Sequence, residues 1–134
     1  MSRETESAEH DLLKRAYRKF NARMIDQLLA SLHPDVEWAN GWEGGHVHGR
    51  EAVRAYWTRQ WEVLDPHVEP LAIDPGANGS HLVKVHQVVR NRQGDLLADT
   101  IVYHFFQLAD GMIVRMDILP AAPQDTSIRP GGEG

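Results

Sequence analysis

Apolar positions fall into two regimes along this chain, helical in the first half and strand-like in the second. From Ala8 to Phe20 the residues Leu12, Leu13, Ala16, Tyr17 and Phe20 recur at helical spacing. Asn21-Ala22-Arg23 interrupts the stripe, and Ile25, Leu28, Leu29 and Leu32 resume it in a new phase, so two helices meeting near Asn21 are predicted. Pro34 stops the second, because the residue before a proline is pushed out of the α region. Val36, Trp38 and Asn40 alternate with Asp35, Glu37 and Ala39 and predict a short strand. Gly41 to Gly49 is a loop or loose hairpin, with Gly44-Gly45 supplying backbone freedom. Val53, Tyr56, Trp57, Trp61 and Leu64 form the stripe of a third helix that Asp65-Pro66 ends.

Strands follow. His67 to Asp74 is closed by the turn-rich Asp74 to Gly79. His81 to Arg90 turns at Gln93-Gly94 into Leu96 to Leu108. Asp110-Gly111 is a hairpin signal leading into Met112 to Leu119. The predicted order is α-α-β-α-β-β-β-β. Helices first and antiparallel strands afterwards argue an α+β fold with one mostly antiparallel sheet covered on one face. Residues 1–119 are expected to form one domain, and the Pro- and Gly-rich 120–134 a weakly ordered tail.

Composition narrows the class. At 134 residues, with 42% hydrophobic and 25% charged residues, the chain can bury a core without staples. A net charge of -5 lacks the footprint of a nucleic-acid binder. No cysteine is present, which excludes disulfides and thiolate zinc sites. No apolar run approaches membrane-spanning length, and the polar, acidic N-terminus lacks a signal-peptide core. A soluble, cytoplasmic protein with neither nucleic-acid nor membrane partners is expected.

Four motifs carry a family resemblance: Phe20-Asn21-Ala22-Arg23, His33-Pro34-Asp35-Val36-Glu37-Trp38, Gly49-Arg50-Glu51-Ala52-Val53 and Asp110-Gly111-Met112-Ile113-Val114-Arg115. In order and spacing they resemble the nuclear transport factor 2-like superfamily, in particular its SnoaL-like branch of polyketide cyclases and ketosteroid isomerase relatives. The resemblance covers roughly Leu12 to Leu119. It implies a cone-like fold in which a curved sheet and helices enclose an apolar cavity, and a homodimer through the outer face of the sheet.

Strand alternation sorts the candidate pocket. The more apolar faces, taken as inward, are Asp99, Ile101, Tyr103 and Phe105; Val83, Val85, Gln87 and Val89; Met112, Val114, Met116 and Ile118; and Val36, Trp38 and Asn40. The expected ligand-binding residues are therefore Trp38, Asn40, Trp57, Gln87, Tyr103, Phe105 and Met116. A small apolar, oxygenated ligand suits such a lining. Ketosteroid isomerisation needs a carboxylate base with a Tyr and a protonated Asp as oxyanion donors. By resemblance these positions fall on Asn40, near Ala16 and on Tyr103, so the chain departs at all three. The SnoaL-like cyclases imply an acid near the end of the last strand, here Asp117. Alternation sets Asp117 beside Arg115 on the face opposite Met116, unless a bulge re-aims it. Asp99 is the other candidate proton carrier.

His46-Val47-His48 followed by Glu51 is a near miss to a cupin metal motif, but Glu51 opens a helix and no second motif follows. No metal and no cofactor are expected. The reading is a pocket protein that binds, and as an enzyme would isomerise, cyclise or hydrate, its ligand by acid/base chemistry. The alternatives are a catalytically silent dimeric module with a filled pocket and a metal-dependent enzyme centred on His46 and His48.

Overall fold

The computed structural model describes residues 3–119, so the segment 120–134 expected to form a tail lies outside the described residues. Three helices, α1 (Arg3–Asn21), α2 (Ile25–Ala30) and α3 (Arg50–Val63), are combined with six strands. These are β1 (Leu32–Ala39), β2 (His46–His48), β3 (Leu64–Pro75), β4 (Ser80–Asn91), β5 (Leu96–Ala109) and β6 (Met112–Leu119). They form one curved, unclosed sheet in the order β2-β1-β6-β5-β4-β3, antiparallel throughout except for the β1–β6 pair. The α+β class and the sheet's character are as the pattern predicts.

The differences are local. The Gly-rich segment is a hairpin whose second arm, β2, pairs Trp38 with Val47. Leu32 opens β1 instead of closing α2, and Pro34 sits where β1 pairs with neither neighbour, between the Leu32 and Glu37 contacts with β6. Strand β3 begins directly at Leu64, so Asp65 and Pro66 lie within it. An edge strand tolerates Pro66 and Pro70 because its outer side donates to no ladder.

Asn21 explains the junction of α1 with the sheet. Its side-chain amide donates to the Val68 carbonyl (2.8 Å) and its carbonyl accepts from the Val68 amide (3.0 Å), so α1 is clamped to β3. Arg23, in the left-handed region at φ 61°, turns the chain into α2 and donates to the carbonyls of Phe20 and Pro66. Asp110 and Gly111, both at positive φ, form the tight β5–β6 turn that their sequence signals.

The core lies between the helices and the concave face of the sheet. Leu13, Tyr17, Leu28, Val53 and Trp57 from the helices meet Val36, Val83, Val85, Phe106 and Ile113 from the strands, all buried. On β5 the buried residues are His104, Phe106 and Leu108, which corrects the inward face expected there. Pairing of His104 with Val83 and Phe106 with His81 sets them on the inner face. Asp99, Ile101, Tyr103 and Phe105 therefore point to the outer face. Val114 is likewise displaced: a bulge between the Gln107–Arg115 and Leu108–Ile113 pairs flips the parity of β6. Ile113 is fully buried in its place, while Met116 keeps its inward position.

Candidate functional site

The helices and the concave sheet face enclose a cavity of about 500 Å³. Its floor comes from Tyr17 and Phe20 of α1, and its sides from Tyr56 and Trp57 of α3 and from the strands. Among the described residues no Asp, Glu, Lys or Arg lines it. An aromatic frame holds the shape: Trp57 is edge-on to Trp38 (5.3 Å between centroids) and to Phe20 (6.0 Å), and stacks on Trp61 (5.8 Å). Such contacts fix ring orientations beyond what burial alone would do.

Two buried polar groups meet in this apolar setting. The Tyr17 hydroxyl and His104 Nδ1 are 2.7 Å apart, joining α1 to β5 across 87 positions of sequence. Their rings lie nearly parallel at 5.8 Å, and Phe106 packs edge-on against both. Burial pushes the Tyr17 phenol well above its ordinary value and lowers the His104 imidazole from 6.5 to about 4. At neutral pH the phenol is protonated and the imidazole uncharged. A buried phenol that failed to donate would leave its proton unpaired, so Tyr17 donates to Nδ1. The imidazole proton then resides on Nε2, which has no partner among the described residues. His104 thus offers the cavity a neutral N–H donor.

The expected ligand-binding residues divide. Trp38, Trp57, Gln87 and Met116 line the cavity. Tyr103 and Phe105 do not, because they lie on the outer face of β5. Asn40 is buried, but its side chain is spent on the following loop: the carbonyl accepts from the amides of Trp42 and Glu43, and the amide donates to Glu43. That loop closes against the sheet where Gly41 passes Ile118 so tightly that a Cβ would lie 2.9 Å from its Cδ1. It thereby carries Trp42 to the cavity wall.

Neither expected proton carrier enters the cavity. Asp99 bonds His86 Nε2 at 2.6 Å on the outer face, with both side chains well exposed. Asp117 lies between His46 (2.8 Å) and Arg115 (2.9 Å), also on the outer face. Partial burial would raise its pKa, but hydrogen bonds and charge from Arg115 and His46 outweigh this and hold it below the ordinary carboxylate value. A group held as a carboxylate by a guanidinium is poorly suited to delivering a proton. His46 and His48 gather no third ligand, and no metal-binding cluster occurs among the described residues.

Sequence reading missed Tyr17 and His104, each one residue from the positions (Ala16 and Tyr103) to which the resemblance pointed. The signal was available in the tight turn. Counting back from Asp110-Gly111 pairs Leu108 with Ile113, both strongly apolar, and alternation from Leu108 sets Phe106 and His104 inward.

A search of curated proteins found no match. Among solved structures, similar folds include TerC co-crystallized with polyporic acid, at 20% identity and TM-score 0.74 over 90% of this chain and 97% of that one. SalBIII, an epoxide hydrolase/cyclase-like enzyme of pyran ring formation in the polyether salinomycin, matches at 17% identity and TM-score 0.75, over 87% and 92% of the two chains. A polyketide cyclase-type protein from Sinorhizobium meliloti matches at 20% identity and TM-score 0.69, over 81% and 93%. Residues 13–116 match the family model of the SnoaL-like domain, and the chain belongs to that family.

Proposed function

We propose that this protein binds an uncharged, largely apolar, oxygenated small molecule in its cavity and acts on it through the Tyr17–His104 pair. The observation that carries the reading is a neutral imidazole, fixed by a buried phenol, whose second nitrogen is left for a ligand in a cavity that no charged side chain lines among the described residues. A formally charged ligand would leave water with no counter-charge to meet it. A carbonyl, hydroxyl or epoxide oxygen would instead accept from His104 Nε2.

Acting on that oxygen, the pair would work as an electrophile. The Nε2–H donates to the oxygen as negative charge grows on it, and the Tyr17 hydrogen bond to Nδ1 holds the ring in place. A neutral imidazole is a better match for a transient oxyanion than for a full positive charge in this buried setting. Isomerisation, cyclisation and epoxide opening all build charge on such an oxygen, and the similar folds annexed to polyketide cyclisation and pyran ring formation support that range. One preorganised donor is worth on the order of 10²–10³ in rate. No cofactor enters this scheme.

A second reading, a binding protein without a chemical step, has an observation of its own in its favour. Among the described residues no carboxylate lines the cavity, so none of them sets a strong base beside the ligand. The open volume of about 500 Å³ speaks for a ligand in either case, and against a module filled by its own side chains. The apolar strip of Ile101, Tyr103 and Phe105 on the outer face supports a homodimer through that face.

The test is a thermal-shift series with uncharged aromatic ketones, quinones and epoxides, followed by turnover assays on those that bind. Ligands of this class should raise Tm by binding only the folded state. The shift should shrink in His104→Phe and in the Tyr17→Phe/His104→Phe double variant, which leaves no unpaired phenol, and should persist in Asp99→Asn and Asp117→Asn. Shifts abolished by the aspartate variants and kept by the His104 variants would overturn the assignment.

A further inference from the structure

Gln87 is a second polar group with an end unpartnered among the described residues, and it too lines the cavity. It lies on β4 among Val85, Val89 and, across the ladder, Val68, with its side chain lining the cavity and making no hydrogen bond among the described residues. By contrast Gln60, also at the wall, is tied to the Tyr56 hydroxyl at 3.2 Å. A primary carboxamide in an apolar wall gains when a ligand supplies the partner the protein withholds.

Its distance from the first polar group is set by the ladder. His104 pairs with Val83, whereas Gln87 pairs with Thr100, four residues further along. Four residues of strand span about 13 Å, and the two side chains lean into the same concave space. Their polar ends therefore stand on the order of 10 Å apart, with aromatic and aliphatic surface between them.

We propose that the cavity has two polar poles and that its ligand is an elongated, rigid, uncharged scaffold with an oxygen function at each end. One oxygen accepts from His104 Nε2. The other, a hydroxyl or carbonyl, bonds the Gln87 carboxamide, which can donate and accept. Gln87 thereby selects the length and the distal function of the ligand and leaves the reacting end to His104. This rests on the function proposed above, since it takes the first pole from it.

The test uses two probes of one skeleton, 4-phenylphenol and 4,4′-dihydroxybiphenyl, titrated calorimetrically into the wild type and into Gln87→Met and Gln87→Leu. The dihydroxy probe should bind the wild type about fivefold more tightly than the monohydroxy probe, one hydrogen bond's worth. Both Gln87 variants should erase that preference, while His104→Phe should weaken both probes. Equal binding of the two probes by the wild type, with His104 still required, would overturn the second pole and leave the proposed function standing. Failure of both probes to bind would overturn the proposed function, and the second pole with it.

Discussion

Strand β5 carries a histidine–phenol pair on its inner face and, with Asp99 reaching His86 of β4, an aspartate–histidine pair on its outer face, and the two differ in nearly everything except residue type. On the inner face, His104 is 7% exposed, bonded to an uncharged phenol, and pushed down to about 4 by burial. On the outer face, Asp99 holds His86 at 2.6 Å, and both side chains are 41% or more exposed. The outer pair has the geometry usually sought in an acid/base dyad, but water competes for it and screens it. The inner pair has no charge and an enclosed space beside it. Enclosure, more than the presence of a carboxylate, is what makes a polar pair useful to a ligand.

The framework that creates the enclosure should give the largest effect. Trp57 is fully buried and touches Trp38, Phe20 and Trp61. Trp57→Ala should cost about 3–5 kcal/mol of stability in a urea titration. A cost under 1 kcal/mol would mean that the inner face is not packed as described.

Next comes acid. Because the His104 pKa falls from 6.5 to about 4 on folding, the unfolded chain takes up a proton in this window and the folded protein does not. The stability is therefore complete above about pH 6.5 and declines as pH falls toward 4, by up to about 3 kcal/mol. Denaturation midpoints measured across this range should show the slope in wild type and a shallower one in His104→Gln. Identical slopes would place the acid sensitivity elsewhere.

Tyr17→Phe should cost about 1–3 kcal/mol, because it leaves His104 Nδ1 buried without its donor. The same substitution should free the imidazole to change tautomer, which nitrogen shifts would register. Asp99→Asn is expected at the small end, within about 0.5 kcal/mol, since its partner is exposed. A large loss there would erase the contrast between the two faces.

The helices and the hairpins were legible because their signals are local: apolar spacing in Leu12 to Phe20 and the Asp110-Gly111 turn. Pro34 misplaced the end of α2, which closes at Ala30 and gives way to β1 at Leu32. The face of β5 was not legible. Ile101, Tyr103 and Phe105 on one side are as apolar as Val102, His104 and Phe106 on the other, so hydropathy alone could not choose, and a one-residue slip exchanges the whole set. That slip set Asp99 and Tyr103 inward and His104 outward. The register shift at Val89/Arg90 puts an extra residue, Leu97, into β5 and breaks counting from its first residues, whereas the shift at Gln107/Leu108 lies in β6 and leaves counting back from the Asp110-Gly111 turn intact. Asn40 failed for another reason: a buried amide next to a loop finds backbone partners first. Trp38, Trp57 and Gln87 reach the cavity wall because each keeps the phase of its own element, and Met116 does so because it lies beyond the Val114 bulge, in phase with Ile118.

The most direct test is nitrogen-detected NMR of the His104 imidazole, followed from neutral pH down to the acid limit of folding. The expected result is an uncharged ring with the proton on Nε2 and an acceptor-like Nδ1, unchanged until pH nears 4. A ring protonated on Nδ1, or one that titrates near 6.5, would contradict it.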